Sequence, residues 1–468
     1  MLVFPEMPGD RSVGGFGFHG LASLGLIVSA YGVGDVLGNL IAGANADLTV
    51  TAATAGSLAS TLTLALTSNA RGIADLTNEA LTSKTVAVTG TAYDYARATL
   101  ANTSLALGNV RTGDQASVGV TNTVTTSASF QDSLDVAASS ANGKLTVSSP
   151  ANILAGNTGN VGFTANAAGS LAATVSLGLT SNANGVTDLA DTGLTGQSIA
   201  VTGAAYDYAQ SAVNNRTLAF GNVRQGGVLA NQTLTFGNTQ FTNAAYQDAL
   251  LVATSANNSK LTATGATITA GTTANLTVAA ATTTAGSLAD TLAVTQTSKA
   301  AATGLLDKTL TGLNVAVTGA VYDLANATVA SSLTLGNVRT NTTSTVNVAN
   351  TVITSATYQD SLDVAASSSN AKLTVGTVGN LLAGTNANLG VTAASAGSLA
   401  STVTLGLTSN ANGISGLTDE ALTSKTVAIT GAAYDLARAT LANTTLALGN
   451  VRTGDQASVG VTNTVTTD

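Results

Sequence analysis

The sequence predicts an all-β chain built from tandem β-sandwich repeats of about 113 residues each. Three observations predict this fold: short motifs recur on one period, apolar residues alternate along short segments, and turn-forming clusters separate those segments. The chain has 468 residues, which is too long for one ordinary core and favours roughly three to four units.

The period is set by four motifs. Gly-Asn-Val-Arg recurs at intervals of 113, 115 and 113 residues, and Tyr-Asp recurs at intervals of 113, 116 and 112. Ala-Gly-Ser-Leu and an aromatic-Gln-Asp triplet follow the same spacing. The motifs begin, in that order, at Gly108, Gly221, Gly336 and Gly449; at Tyr93, Tyr206, Tyr322 and Tyr434; at Ala55, Ala168, Ala285 and Ala396; and at Phe130, Tyr246 and Tyr358. Independent landmarks on one period indicate repeated domains.

Within a period the pattern is that of strands. Ala116, Val118 and Val120 alternate with Ser117 and Gly119, which is typical of a half-buried strand. About seven or eight such segments fit in one period, separated by turn clusters such as residues 181–185. That number of strands predicts an immunoglobulin-like sandwich. The alternative is a β-solenoid, which would repeat at about 20–30 residues per coil.

The repeat boundaries do not coincide with the first and last residues of the sequence. If each unit begins just after a Tyr-Asp pair, three complete repeats are flanked by two partial ones and an N-terminal extension. The predicted segments are an extension at 1–37, with a possible signal-like or substitute-strand segment, the later strands of a repeat at 38–96, complete immunoglobulin-like repeats at 97–209, 210–325 and 326–437, and the first two strands of a repeat at 438–468.

The two partial repeats are complementary, and two interpretations of them stay open. The chain is either a fragment of a longer array or a subunit whose tail, 438–468, completes the head, 38–96, of a neighbouring copy by strand addition, giving a filament. Residues 97–126 and 438–467 differ only at Ser104 and Thr445. We favour the fragment, because assembly needs a substitute, such as the strand-like segment at Leu26, for two missing middle strands.

Composition restricts the function classes. Charged residues make up 9% of the chain and the net charge is −8, so no basic stripe is expected to neutralise nucleic acid phosphates or an anionic membrane surface. The chain contains no Cys, which excludes disulfides and thiolate metal sites. A neutral surface rich in Thr, Ser, Asn and Gly is typical of extracellular β-proteins, and no membrane insertion is expected.

The repeat motifs resemble those of the choice-of-anchor D family of bacterial surface proteins, over roughly residues 38–468. The resemblance is carried by five segments, at Leu105–Gly113, Val118–Thr123, Leu154–Gly156, Leu179–Asn182 and Ala200–Gly203. The usual Pro after the Ala-Gly region is largely missing. The resemblance implies Hydin-like (ASH-type) immunoglobulin-like domains, export and display at the bacterial cell surface, and no catalytic residues.

No catalytic, cofactor-binding or metal-binding residues are predicted, so the chain is not expected to be an enzyme. His19 is the only histidine and lies outside every repeat, which disfavours a catalytic triad. The best calcium candidate is the loop from Ser409 to Glu420, but its spacing does not follow a regular calcium loop. Residues 21–30 form an apolar run that is too short to span a bilayer and has weak signal-peptide features.

The repeated charged residues are predicted to be structural. Contacts between consecutive domains are needed at every domain boundary, whereas a catalytic or binding site is needed only once. Each Tyr-Asp pair is expected to place its Tyr between units and its Asp at the cap of a turn. Each motif Arg is expected to bind the Asp of an aromatic-Gln-Asp triplet, and Arg339→Ala is expected to lower thermal stability. The residues are Asp94, Asp207, Asp323 and Asp435; Arg111, Arg224, Arg339 and Arg452; and Asp132, Asp248 and Asp360.

Two functions are compatible with this organisation. The first is a non-catalytic structural or adhesive protein of the cell surface or extracellular space. The second is a surface module that binds a glycan or protein through its loops. The repeat at 210–325 is the best candidate for a specialised surface, since Gln225-Gly226-Gly227 replaces Thr112-Gly113-Asp114 and Phe236 and Phe241 flank a polar segment.

Overall fold

The computed structural model describes residues 26–31, 47–68, 70 and 73–464. They form two compact units. One contains the described residues up to Tyr208 together with Phe241–Asp248 and Ala300–Leu306, and the other contains Ala209–Gln240, Ala249–Lys299 and the described residues from Asp307 onward. Within these ranges, no helix has the length and apolar character needed to cross a membrane.

The N-terminal part of the first unit holds four small two-stranded antiparallel sheets. Their pairs are β1 with β2, β3 with β8, β4 with β7, and β5 with β6. The segment at Leu26, predicted to be strand-like, is a strand. The strands are β1 Leu26–Tyr31, β2 Asp47–Ala52, β3 Gly56–Ser57, β4 Ser60–Leu64, β5 Thr67–Ser68, β6 Glu79–Ala80, β7 Lys84–Val88 and β8 Thr91–Ala92.

The first unit continues with a two-sheet sandwich, here called the first sandwich. One sheet has the order β10-β17-β16-β12, with β15 on β17, and the other has the order β13-β14-β11-β9. β10 and β17 pair in parallel and the other pairs are antiparallel. The strands are β9 Ala98–Leu100, β10 Ser104–Arg111, β11 Gln115–Asn122, β12 Ser133–Ser140, β13 Leu145–Ser148, β14 Thr158–Ala165, β15 Gly169–Ser170, β16 Ala173–Asn182 and β17 Thr192–Tyr206.

The second unit holds two further sandwiches of the same strand order. The second sandwich has the sheets β18-β20-β24-β22 and β19-β27-β26-β21-β23. Its strands are β18 Ser211–Val213, β19 Thr217–Arg224, β20 Gln232–Asn238, β21 Ala249–Ser255, β22 Leu261–Ala263, β23 Ala266–Ile268, β24 Thr273–Ala280, β25 Gly286–Ser287, β26 Asp290–Lys299 and β27 Lys308–Tyr322.

The third sandwich repeats this arrangement with the sheets β28-β30-β34-β32 and β29-β37-β36-β31-β33. After it comes a hairpin of β38 with β39. The strands are β28 Ala327–Val329, β29 Ser332–Arg339, β30 Thr343–Asn350, β31 Ser361–Ser368, β32 Leu373–Val375, β33 Thr377–Leu381, β34 Asn386–Ala393, β35 Gly397–Ser398, β36 Ser401–Asn410, β37 Glu420–Tyr434, β38 Ala439–Leu441 and β39 Val461–Asn463. The fold is therefore a tandem immunoglobulin-like array, and the solenoid alternative is wrong.

Each core lies between the two sheets of its sandwich and is built from the alternating apolar residues. In β11, Val118 and Val120 are 3% and 0% exposed, and on the neighbouring strand β14 Val161 and Phe163 are 0% and 1% exposed. Full burial of such a side chain contributes about 1.5–3 kcal/mol. Phe236, considered above as a surface residue of the second repeat, is 0% exposed and belongs to the core.

Two repeated glycines meet where the parallel strands pair. Gly108 has φ +69° and lies at a shift in the β10–β17 register, a conformation that favours glycine. A Cβ on Gly203 would lie 2.6 Å from the Gly108 carbonyl oxygen, and the equivalent distance from Gly319 to the Gly221 oxygen is also 2.6 Å. The Gly of Leu-Gly-Asn-Val-Arg and the Gly of Ala-Val-Thr-Gly are thus two sides of one backbone contact.

Candidate functional site: the repeated junction

The repeated motifs meet at a junction between consecutive sandwiches. Gly-Asn-Val-Arg ends β10 and β19, and its polar side chains reach residues of the following repeat. The first junction lies within the first unit and the second lies within the second unit. Because the same contacts recur about 113 residues apart, the junction is a repeated structural element of the fold.

At the first junction Arg111 makes three contacts. Its Nη1 lies 2.9 Å from Asp248 Oδ2, and its Nη2 donates a hydrogen bond of 3.0 Å to the carbonyl oxygen of Leu306. Its guanidinium carbon lies 4.3 Å from the centre of the Tyr208 ring, which adds a cation–π contact. Asp248 is fully buried, so this ion pair is protected from solvent.

At the second junction Arg224 repeats the arrangement. It forms an ion pair with Asp360, and its Nη2 donates a 3.0 Å hydrogen bond to the carbonyl oxygen of Thr418. Leu324 stands where the first junction has Tyr208. The predicted pairing of motif Arg with triplet Asp is confirmed at both junctions, and each Arg binds the Asp of the following repeat.

The motif Asn forms a second contact beside each Arg. Asn109 Nδ2 donates to the carbonyl oxygen of Thr303 at 2.9 Å, and Asn222 Nδ2 donates to that of Ser415 at 3.0 Å. Each Asn therefore holds the same loop of the following repeat that its Arg holds. The sequence analysis assigned no role to this Asn.

The triplet Asp is anchored within its own repeat by a Ser. Ser409 Oγ donates a 2.6 Å hydrogen bond to Asp360 Oδ2 and accepts one of 2.8 Å from the backbone N–H of Ala325. Ser181 connects Asp132 to the N–H of Ala96 in the same way. At the second junction this Ser thus fixes the carboxylate that Arg224 binds.

A buried Asn–Gln pair holds the loop that carries each triplet. Asn122 is 0% exposed and donates to the carbonyl oxygens of Asp132 and Ile153, at 2.8 and 3.0 Å. Its Oδ1 accepts from the Gln131 side chain at 2.9 Å and from the N–H of Arg97 at 3.0 Å. Asn350 and Gln359 repeat these bonds. Saturated networks of this kind favour one loop conformation.

At both junctions the Tyr of the Tyr-Asp pair packs between repeats, as predicted, whereas Tyr434 is 52% exposed. The ring of Tyr206 lies 5.4 Å from that of Tyr246, and Tyr322 lies 5.6 Å from Tyr358. Burial, followed by the charges of Tyr358 and Asp360, raises the pKa of Tyr322 above 10.0.

The predicted turn cap by the Asp of this pair is wrong at both junctions. The Asp207 carboxylate accepts a 2.6 Å hydrogen bond from Thr112 Oγ1. Asp323 is 0% exposed, and neither of its carboxylate oxygens has a hydrogen-bond partner among the described residues. Asp323 lacks the partner that Asp207 has because Gln225 replaces Thr112 at this junction. The Gln225 side chain donates a 2.8 Å hydrogen bond to the carbonyl oxygen of Thr283 instead.

The remaining motif arginines lack the junction contacts. Arg339 is exposed and its Nη1 donates to the carbonyl oxygen of Asp435 at 2.9 Å. Arg452 lies in the exposed segment between β38 and β39. For a stability test, Arg111 and Arg224 are therefore more informative than Arg339.

The calcium-candidate loop is held by its own hydrogen bonds. Asp419 Oδ1 accepts from the N–H of Ala411 at 2.9 Å, and Asn410 Oδ1 accepts from that of Asn412 at 2.8 Å. In the part of the chain that the structure describes, no group of three or more His, Asp or Glu residues could hold a metal ion. His19 and the first half of the apolar run at 21–30 lie outside the described residues.

Comparison with known proteins gives no family model and no curated protein that matches the chain. Solved structures with a similar arrangement include the titin fragment I67–I69, at TM-score 0.31 and 8% identity over 72% of this chain and 99% of that chain. Drosophila N-cadherin EC1-4 matches at TM-score 0.29 and 9% identity, over 79% and 83%. Domains 4–9 of the surface layer protein SbsC match at TM-score 0.18 and 15% identity, over 91% and 60%.

Proposed function

We propose that the chain is a non-catalytic structural protein whose sandwiches are fastened in series by the Asn–Arg clasp of Gly-Asn-Val-Arg. The observation that carries the proposal is the repetition of one set of contacts, Arg111 with Asp248 and Arg224 with Asp360, at successive junctions. Each clasp adds two hydrogen bonds to one loop of the following repeat, and so resists bending at the junction.

The proposal includes a location. The neutral, Thr- and Asn-rich surface, with 9% charged residues and no Cys, suits an exported protein that holds its outer end away from a bacterial cell or adheres there. The resemblance of its motifs to the choice-of-anchor D family supports the same location.

Removal of one clasp tests the proposal. We expect Arg224→Ala to lower the unfolding free energy by about 3 kcal/mol, the lower end of the range for breaking a buried pair, because the Arg224 side chain is 18% exposed. Amide exchange in residues 413–418 should accelerate, since the loop loses the bond from Arg224. Calorimetry and hydrogen exchange measure the two effects.

Arg339→Ala is the matched control, because it removes the same residue of the same motif where no following triplet is bound. Its effect should stay within about 0.5 kcal/mol. Equal effects of the two substitutions, or unchanged exchange at 413–418 in Arg224→Ala, would contradict the clasp.

We also propose that the tail of one copy can complete the head of another. The favouring observation is exposure at both ends: Val86 and Val461 are 46% and 64% exposed, whereas the equivalent Val427 and Val120 are fully buried. The register of β1 on β2, with Leu26 opposite Ala52, matches that of β32 on β34, with Leu373 opposite Ala393. β1 would then be the substitute strand that this assembly needs. A strict monomer in light scattering over a wide concentration range would contradict it.

A further inference from the structure

The second sandwich has an open cavity between its two sheets. The cavity has a volume of about 820 Å³, within the range of about 300–1,000 Å³ typical of small-ligand sites. It is bounded by the edge strand β18 on one side and by β26 and the first half of β27 on the other. All of these residues belong to one unit.

Two substitutions distinguish the lining of this cavity from the equivalent positions of the other two sandwiches. In the first sandwich Gln197, on β17, donates a 3.2 Å hydrogen bond to the carbonyl oxygen of Ala98 and so bridges the two sheets. Lys425 forms the same bridge to Ala327 in the third sandwich. In the second sandwich Leu313 takes this position, and a leucine has no donor with which to close the gap.

The second substitution places an amide inside the cavity. Leu179 and Leu407 are buried core residues at equivalent positions of β16 and β36, and Gln296 replaces them on β26. Gln296 is only 3% exposed and lines the cavity. No hydrogen bond to its side-chain amide is present among the described residues. Its amide therefore borders the open cavity, where it can donate a hydrogen bond to a ligand and accept one from it.

The rest of the lining defines the chemistry of the ligand. Ser211, Thr311 and Asn314 supply two hydroxyls and a second amide, which can donate to and accept from the hydroxyls of a sugar. Arg216 stands at the position of Thr103 and Ser331 and forms no ion pair in the part of the chain described. Its guanidinium is suited to bind one carboxylate through two parallel hydrogen bonds.

We propose that this cavity binds a short acidic saccharide, with its carboxylate on Arg216 and a ring hydroxyl on the Gln296 amide. One cationic group suits a single carboxylate, and the other polar groups suit a ligand with several hydroxyls. The site is independent of the junction clasps, so neither proposal depends on the other.

Calorimetric titration of the full chain with a glucuronate disaccharide, and with its neutral glucose counterpart, tests the proposal. The uronate is expected to bind at one site per chain. Arg216→Thr should weaken this binding about tenfold to a hundredfold, the value of a charge-assisted hydrogen bond. Lys308→Thr, which removes one positive charge from the start of β27 outside the cavity lining, should leave it unchanged.

A closed variant gives a second, independent test. The pair Gln296→Leu with Leu313→Gln reproduces the residues of the first sandwich, so it should fold at least as stably as the parent and lose uronate binding. Absence of saturable uronate binding to the parent chain overturns the proposal. Equal binding of the neutral sugar, or undiminished binding by a folded closed variant, overturns it as well.

Discussion

The junction depends on a small number of buried charges whose partners lie in different repeats. Asp248 and Asp360 are 0% and 2% exposed, and a carboxylate at such a depth costs free energy unless it is paired. The Ser that anchors Asp360 and the Arg that binds it supply that pairing from opposite sides. The second and third repeats therefore each present a buried carboxylate whose charge is paired only when the preceding repeat is in place.

Asp323 is a buried carboxylate that lacks the hydroxyl donor present at the first junction. Gln225→Thr would restore the hydroxyl that Thr112 provides to Asp207, and we expect it to raise the stability of the second unit by about 1.5–3 kcal/mol, the value of a hydrogen bond to a charged group. Calorimetric unfolding measures the change. The reciprocal variant Thr112→Gln should lower stability by a similar amount, and an unchanged transition in both would contradict this explanation of the Asp323 site.

The Arg–Asp pairing could be predicted from the sequence because both residues recur on one period. The direction of the pairing could not, since a periodic sequence does not distinguish a contact within a repeat from one between neighbours. The function of Asn109 was missed for a related reason: its acceptor is a backbone carbonyl of Thr303, which no residue type marks. The replacement of a core Leu by Gln296 can be recognised only when the three repeats are aligned position by position.

At the level of the strands, the parallel pairing of β10 with β17 sets where the clasp projects. It depends on the close approach of Gly108 and Gly203, at which the register shifts between Ala106 and Gly108. Beyond this shift the strand continues to Arg111, opposite Tyr206. The strand pairing therefore positions the motif Arg and the junction Tyr side by side.

Gly203→Ala tests this link. The residue has φ +144°, and its new Cβ would meet the Gly108 oxygen at 2.6 Å, so we expect a loss of about 1–3 kcal/mol from strain. Gly193→Ala, on the same strand with nothing within 4 Å of its Cβ, is the control and should change stability by less than about 1 kcal/mol. Similar losses in both variants would show that the close contact is unimportant.

At the scale of the whole molecule, the same strand sequence is buried or exposed according to whether strands of a neighbouring segment pack against it. β38 and β39 have the sequence of β9 and part of β11, differing from them only in their surroundings. Leu446 and Leu448 are 47% and 49% exposed, whereas the equivalent Leu105 and Leu107 pack against the first core. An exposed apolar segment of this kind, which has the sequence of β10 but is not paired as a strand in the described structure, favours strand addition.

The complete repeats predict the register that the proposed addition would take. β10 pairs in parallel with β17, with Leu105 opposite Val201 and Val110 opposite Ala205. The equivalent pairing of a tail with a head would place Leu446 opposite Val88 and Val451 opposite Ala92. Neighbouring strands lie about 4.7–4.9 Å apart, within the separation that a disulfide spans.

Cysteine substitution tests this register directly, because the chain contains no Cys. We expect Ala92→Cys combined with Val451→Cys to give, on mild oxidation at high protein concentration, a ladder of disulfide-linked multimers on a non-reducing gel. The control joins Val451→Cys with Thr77→Cys, an exposed residue outside the head strands, and should give far less cross-linking. A ladder of equal intensity in the control, or a cross-link confined to monomers, would contradict assembly of copies by strand addition in this register.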